Sequence, residues 1–228
     1  MYLPIRSTIL LVAAISIALP VFSLSAKPTP IQIAPQPVSW GDVLAKQPRD
    51  SGSGHTAGTR PADLCWIAPD RNAQLWQMRP VFVWRGGSNA IGLRKAGSTQ
   101  ILWQKSIVPT NPNYKRLLYT GPVLQPGQTY EWLFFFDRLA KEPQLWIPFQ
   151  LMSERDRAPI TADLVKLEMQ LKAKKASAET VTLQRANYFA QHDLWADVLQ
   201  EVYSVKTPAA DLQQVAQEIE TTTCQTKP

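Results

Sequence analysis

The sequence predicts an α+β protein in which an antiparallel β-sandwich is followed by a small α-helical bundle. The chain has 228 residues and ten glycines, and its last glycine is Gly127. Up to that residue Trp, Phe, Val and Leu alternate with Pro and Gly, a composition typical of strands and turns. After about Ser153 the chain is rich in Ala, Leu, Gln, Glu and Lys, which favour helices. The chain therefore divides into a β part and an α part.

The β part contains seven predicted strands at regular intervals, separated by Pro, Gly and Asn turns. They cover residues 63–68, 80–84, 90–95, 100–105, 114–120, 129–136 and 144–152. Seven short strands of this kind are typical of a sandwich.

A turn motif in this part carries a resemblance to a known fold. It reads Leu-x-Pro-Gly-x-x-Tyr, at Leu124, Pro126, Gly127 and Tyr130, and the hydroxyl of Tyr130 can bond back to the preceding backbone. Residues 62–152 thereby resemble a fibronectin type III or immunoglobulin-like domain with a tyrosine corner, in which Trp84 matches a buried strand-B tryptophan. The resemblance implies an immunoglobulin-like sandwich and no particular activity.

The α part contains four predicted helices. The first covers residues 160–174 and has Leu164, Leu167 and Leu171 on one face. The second follows an N-cap at Ser177 and runs to Ala190. The third is capped by Asp193, and the fourth is opened by Thr207 and Pro208. Residues 177–205 resemble one and a half tetratricopeptide units. Fewer than three repeats make a poor solenoid, so we expect the helices to pack on one another or on the sandwich.

Residues 1–25 are predicted to be a secretory signal peptide. An apolar run of 11 residues, ILLVAAISIAL, follows Arg6 and is too short to span a bilayer, which needs ~20 residues. Ser23 and Ser25 are the small residues expected before a cleavage site at Ala26. An uncleaved N-terminal anchor is the alternative. The signal peptide predicts a secreted protein, with the periplasm as the favoured compartment and no stable membrane span after cleavage.

The remaining organisation follows from composition. Residues 26–60 are rich in Pro, Gln, Ser and Gly, which predicts a disordered linker in which Trp40 docks on the folded part. Residues 61–152 are then the sandwich, residues 153–222 the helical domain and residues 223–228 a tail.

The motifs DLCWIAP, PVFVW and LQPGQTYEW, with the helical segment ASAETVTLQRANYFAQHDLWADVLQEVYSV, carry a second resemblance. Over residues 60–210 they make the chain similar to a family of secreted cyanobacterial proteins that has no known activity. This resemblance implies the same domain plan and the same compartment.

Cys65 and Cys224 are the two cysteines of the chain, one near each end of the predicted folded part. An oxidising compartment favours a disulfide between them, and two unpaired thiols are the alternative. Because no C-x-x-C spacing occurs, a redox or metal-binding pair has no support.

Charge is distributed unevenly. Residues 26–152 carry 14 basic and 7 acidic residues, whereas residues 153–228 carry 9 basic and 11 acidic residues. A cationic sandwich could meet an anionic envelope polymer, although a modest positive charge also serves solubility alone. Nucleic acid is not expected as a partner, because the chain carries an export signal and lacks dense Lys/Arg runs.

Residues for catalysis or metal binding are sparse. The two histidines, His55 and His192, do not complete a zinc site with the cysteines, and no cofactor is expected. His192, Asp193 and Asp197 could hold an ion, but we expect Asp193 to cap a helix and Asp197 to face water. No Gly-x-Ser-x-Gly elbow occurs. The carboxylates Asp137 and Glu142 are explained as solvated turn residues, so the sequence predicts no enzyme and no catalytic residue.

Two groups of side chains are candidates for binding. One group would form an apolar groove or ridge for an envelope protein, namely Tyr188, Phe189, Leu194, Trp195 and Leu199. The other would bind a cell-wall glycan or anionic polymer, namely Trp103, Trp146, Arg94 and Lys95. The predicted function is non-enzymatic binding or adaptor activity through the helical segment. Polymer binding is the alternative. A hydrolase with dispersed catalytic residues is a third hypothesis, and it requires that substitution of a single Asp, Glu or His192 abolish activity.

Overall fold

Eight β-strands make up the β part of the computed structural model, which describes residues 39–44, 64–107, 115–205, 207 and 209–225. The strands are β1 (Cys65–Ala68), β2 (Gln74–Leu75), β3 (Val81–Arg85), β4 (Ala90–Lys95), β5 (Ile101–Ser106), β6 (Lys115–Leu118), β7 (Thr129–Phe135) and β8 (Leu145–Leu151). All seven predicted strands are confirmed, with ends that differ by at most two residues. The two-residue β2 is additional. The predicted signal peptide, most of the predicted linker and His55 lie outside the described residues.

The strands form two sheets that face each other. One has three strands in the order β1-β3-β6, and the other has five in the order β2-β8-β7-β4-β5. All neighbours are antiparallel except β2 and β8, which are parallel. Between the sheets, the rings of Phe82 and Trp84 on β3 lie 4.9 Å and 6.0 Å from the ring of Trp132 on β7, measured between centroids. The aromatic side chains of both sheets therefore share one core.

Five helices complete the structure: α1 (Trp40–Leu44), α2 (Glu154–Ala173), α3 (Ala178–Gln191), α4 (Trp195–Ser204) and α5 (Ala210–Gln225). The predicted N-cap of α3 is confirmed, since the Ser177 hydroxyl accepts a hydrogen bond from the backbone N–H of Thr180. The predicted cap of α4 by Asp193 is wrong. The N-cap position is Leu194, and Asp193 instead lies in the preceding turn with a φ of 57°. Among the described residues, no helix combines the length and apolar character needed to cross a membrane.

The helices pack on the outer face of the three-stranded sheet. Because side chains alternate along a strand, Phe82 and Trp84 of β3 point between the sheets while Val81 and Val83 point to the helices. Val81 and Val83 share a core with residues of α3 and α4, such as Phe189. The result is three layers, namely helices, a three-stranded sheet and a five-stranded sheet. The central sheet is covered on both faces, which explains why β3 is almost entirely apolar.

Two contacts fix the first and the last described helix to this body. The side chains of Trp40 and Val43 in α1 are buried beside α3 and α5, as predicted for Trp40. Cys65 of β1 and Cys224 of α5 form a disulfide with a Cα–Cα distance of 5.8 Å. The disulfide prediction is confirmed. The bridge ties the first strand of the central sheet to the last helix.

The turn before β7 has the hydrogen bond that its motif predicts. The hydroxyl of Tyr130 accepts a hydrogen bond of 2.8 Å from the backbone N–H of Gln125. We expect Tyr130→Phe to lower the free energy of unfolding by about 1–2 kcal/mol, because a partly buried N–H loses its acceptor. Urea unfolding measures this change.

Tyr119→Phe is the matched control for Tyr130→Phe. Tyr119 is fully buried, and its hydroxyl has no hydrogen-bond partner among the described residues. Removal of this hydroxyl is therefore expected to leave stability unchanged or to raise it. Equal losses in the two variants would contradict the role of the Tyr130 hydrogen bond.

Candidate functional site

The residues predicted to bind a polymer do not form one surface. Register places Trp103 in a row with Leu93 and Trp132, which face the core between the sheets. Trp146 pairs with Leu133, which belongs to a small cluster on the opposite face of the same sheet. The hypothesis that Trp103 and Trp146 contact one ligand is therefore wrong, because residues of opposite parity point to opposite faces.

The local contacts of these residues are intramolecular. The indole N–H of Trp103 donates to the hydroxyl of Thr120 at 3.1 Å. Arg94 forms an ion pair of 2.5 Å with Glu131, and its Cζ lies 5.5 Å from the ring centroid of Trp146. Both charged side chains of this ion pair are largely buried. Arg94 thus has its counter-ion within the fold, and of the predicted cations only Lys95 is exposed.

The predicted apolar ridge on the helices is also not a free surface. Phe189, Leu194 and Leu199 are buried in the core between the helices and the central sheet. Tyr188 and Trp195 are partly exposed at its border. The Tyr188 hydroxyl donates to Asp163 at 3.0 Å, and burial together with this carboxylate raises the pKa of Tyr188 to about 12. Phe189, Leu194 and Leu199 therefore pack the helices on the sheet and do not form an apolar groove or ridge at the surface.

Asp197 is the largest departure from the sequence-based expectation. It was expected to face water, but its side chain is only 1% exposed. Its two carboxylate oxygens accept hydrogen bonds of 2.8 Å from the backbone N–H groups of Trp76 and Gln77. A helical projection of α4 gives the signal that was missed, since Asp197 lies on the same stripe as Leu194 and Val198. Asp197 therefore connects α4 to the segment after β2.

A charged network surrounds this connection. The guanidinium groups of Arg157 and Arg185 lie 5.4 Å and 5.9 Å from the ring centroid of Trp76. Arg157 also donates from Nε to the carbonyl oxygen of Trp76 at 3.0 Å. Arg185 forms ion pairs with Glu201, at 2.8 Å, and with Glu168. The network joins α2, α3 and α4 to one another and to the β2–β3 connection.

Asp197 makes stability depend on pH. Burial raises its pKa to about 7; the nearby Glu201 adds to the rise, while the two backbone N–H groups and Arg157 oppose it. Between about pH 4 and pH 7 the unfolded chain releases this proton while the folded protein keeps it. We therefore expect the free energy of unfolding to fall as pH rises over this range, by at most ~1.4 kcal/mol per pH unit, and to level off above it.

Urea unfolding at several pH values between 4 and 8 measures this dependence. Asp197→Asn is the informative comparison because an amide does not titrate. A decline that persists unchanged in Asp197→Asn would show that other groups cause it.

A groove lies where α4 and α5 meet the edge strand β6. It has a volume of about 350 Å³ and is lined by Arg116, Val202, Tyr203, Val205, Leu212, Gln213, Ala216 and Gln217. The guanidinium of Arg116 lies over the ring of Tyr203, with its Cζ 4.7 Å from the centroid. Gln200 of α4 accepts a hydrogen bond of 2.7 Å from the backbone N–H of Val81. Gln200 and Asp197 thus fix the position of α4, and with it one wall of the groove.

The groove is open along one edge of the central sheet. β6 pairs with β3, and in the strand order of the described residues it has no neighbour on its other side. Arg116 and Leu118 of β6 pair with Val83 and Val81 and so point to the helix side. Leu118 is 49% exposed. Arg116 therefore lines the groove on its strand side, and Leu118 follows it on the same face of β6.

Other predicted features show ordinary structural roles. His192 lies 4.4 Å from the ring of Tyr188, between centroids, and Asp137 accepts a hydrogen bond from the backbone N–H of Leu139 in a turn. Within the described ranges, no group of three or more His, Cys, Asp or Glu side chains could hold a metal ion.

No known family model matches the chain, and no curated protein has significant sequence similarity to it. The groove beside β6 is the candidate site that geometry supports best.

Proposed function

We propose that this protein is a non-catalytic binding or adaptor protein of an extracytoplasmic compartment, and that it engages a partner protein at the groove between β6, α4 and α5. The observation that carries this proposal is the position of the groove. Its helical wall is fixed to the central sheet by Asp197 and Gln200. Its strand wall is an edge strand. A fixed, partly apolar groove of this kind needs little rearrangement to bind.

The compartment is part of the same proposal. A disulfide between β1 and α5 is expected to persist where the environment is oxidising. The predicted signal peptide is consistent with secretion to the periplasm.

Two observations support an immunoglobulin-like assignment of the sandwich. A sheet of order β1-β3-β6 faces strands of order β8-β7-β4-β5, and Tyr130 makes the hydrogen bond of a tyrosine corner. Such a fold commonly serves as a binding scaffold, although fold alone does not determine function.

Binding is favoured over hydrolysis by the state of the buried carboxylates. Asp197 accepts from two backbone N–H groups, and Glu201 is paired with Arg185. Both side chains thus have structural partners within the fold. A catalytic acid or base would instead face a substrate. A hydrolase would need a different catalytic group, and substitution of that group would abolish the activity of the protein.

Anionic-polymer binding is the second candidate, and one observation favours it. Between Asp70 and Glu131 the sequence has eight basic residues and no acidic residue. Long-range attraction to a polyanion needs no shaped pocket, and it weakens as salt is added. Sedimentation with purified envelope polymer at low and high salt tests this candidate separately.

Site-directed photo-crosslinking in the producing cells tests the adaptor proposal. A photo-reactive amino acid replaces Leu118, which is 49% exposed beside the groove, or Leu139, which is 88% exposed in the β7–β8 connection. We expect a discrete adduct with one protein from position 118 and none from position 139. Equal labelling from both positions, or no adduct from position 118, would contradict the proposal.

A further inference from the structure

The edge of β6 that has no neighbour among the described strands has a defined orientation. The backbone N–H of Tyr119 donates to the carbonyl oxygen of Pro80, at 3.0 Å, and so points toward β3. Since backbone groups alternate in direction along a strand, the N–H and C=O groups of Arg116 and Leu118 point away from β3. These groups are placed to pair with a further strand. An extended chain laid along β6 would continue the central sheet.

Side-chain parity connects that edge to the groove. Arg116 and Leu118 point to the helix side of the sheet, where the groove is lined by Val202, Leu212 and Ala216. Alternate side chains of an added strand would point to the same side. They would therefore enter the groove, while the intervening side chains would point to the other face. A strand with apolar residues at alternate positions fits this arrangement.

Charge identifies the chemistry of the added strand. The eight basic residues between Asp70 and Glu131 include Lys105 on β5 and Lys115 and Arg116 on β6. The ring of Trp103 on β5 lies 5.3 Å from that of Tyr119, just after β6, so these two edge strands border the same side of the sandwich. Among the described residues none of these three cations forms an ion pair, whereas Arg94 of the same stretch is paired with Glu131. Acidic side chains are the complement of such an edge.

We propose that β6 binds an extended, acidic segment of a partner protein as an additional strand, with alternate apolar side chains of that segment in the groove between α4 and α5. This inference rests on the proposed adaptor function and names the class of partner. Backbone hydrogen bonds along β6 supply affinity, and the groove and the cations supply specificity. A polyanion without a polypeptide backbone could satisfy the charges alone.

Fluorescence anisotropy with defined peptides tests the inference on the disulfide-bonded protein. The probe is a labelled octapeptide of alternating glutamate and valine. We expect saturable binding that weakens with salt, and loss of binding when alternate amides of the peptide are N-methylated, because these amides would pair with β6. Alternating lysine and valine should not bind.

Variants of the protein locate the site. Lys115→Glu is expected to weaken binding about tenfold or more, which corresponds to about 1.4 kcal/mol, because Lys115 lies on the face to which the glutamates of the probe would point. Arg138→Glu makes the same charge change at an exposed residue of the β7–β8 connection and should leave affinity within twofold of the unchanged protein. Lys115→Gln gives a milder test if the charge reversal disturbs folding. Equal effects at positions 115 and 138 would overturn the inference.

The alternatives give distinct results. Binding of the N-methylated peptide or of dextran sulfate as tightly as the probe would show electrostatic adhesion and would overturn strand addition. A second copy of this chain on β6 would appear as a dimer in sedimentation velocity, and failure of the probe to compete with it would also overturn the inference. If position 118 crosslinks to a protein but no acidic peptide binds, the adaptor function is retained and the inference of an acidic segment is rejected.

Discussion

Asp197→Asn is expected to lower the free energy of unfolding by about 2–4 kcal/mol. The carboxylate accepts one backbone N–H on each oxygen, from Trp76 and Gln77, inside a buried site. An amide keeps one acceptor and turns a donor toward the other N–H. A buried polar group left without its partner costs ~1–3 kcal/mol, and the opposed donors add to that cost. The loss arises in the connection between α4 and the β2–β3 segment.

Urea unfolding at pH 4.5 measures this change, because ionisation of the buried Asp197, whose pKa is about 7, itself lowers stability at higher pH. Asp193→Asn is the matched control, because Asp193 lies four residues earlier, is exposed and has a φ of 57°, which Asn tolerates. We expect the control to change stability by less than ~0.5 kcal/mol. Similar losses in the two variants would mean that the buried hydrogen bonds of Asp197 contribute little.

Reduction of the Cys65–Cys224 disulfide is expected to lower stability by about 5 kcal/mol. The bridge closes a loop with a sequence separation of 159 residues, and the chain-entropy model gives this value for a loop of that length. The loss should come with release of α5 from β1, since α5 is the last described helix and Cys224 lies near its end. Loss of α5 would also remove one wall of the groove.

Thermal or urea unfolding with and without a phosphine reductant measures the effect. The double variant Cys65→Ser, Cys224→Ser supplies the control, since the reductant should not alter its stability. A reduced protein that is as stable as the oxidised one would contradict a structural role for the bridge, and a reductant effect on the double variant would invalidate the comparison.

Seven of the eight described strands and four of the five described helices could be predicted, because their signals are local. The Pro126-Gly127 turn and Tyr130 lie within a few residues of one another, so the motif specifies its own hydrogen bond. Ser177 similarly caps α3 through contacts three residues apart. The position of β3 could be predicted from VFVW, but its two faces could not. The apolar run alone does not say that Val81 and Val83 meet helices from much later in the chain.

The candidate site depended on long-range contacts and was not predictable in the same way. Asp197 bonds to backbone groups 121 and 120 residues away, and a charged residue on a short helix is ordinarily expected to face water. Register placed Trp103 and Trp146 on opposite faces, which composition cannot reveal. The groove itself joins β6 with two helices far apart in sequence. Amphipathic projection of α4 would have found Asp197, but only the packed fold shows the groove.

Backbone amide exchange of β6 with and without the glutamate–valine octapeptide tests the central claim most directly. The N–H groups of Arg116 and Leu118 point to the free edge, whereas the N–H of Tyr119 is already bonded to Pro80. We expect the exchange of Arg116 and Leu118 to slow when the peptide is bound, and that of Tyr119 to change little. Unchanged exchange at Arg116 and Leu118 with saturating peptide would show that no strand adds to β6.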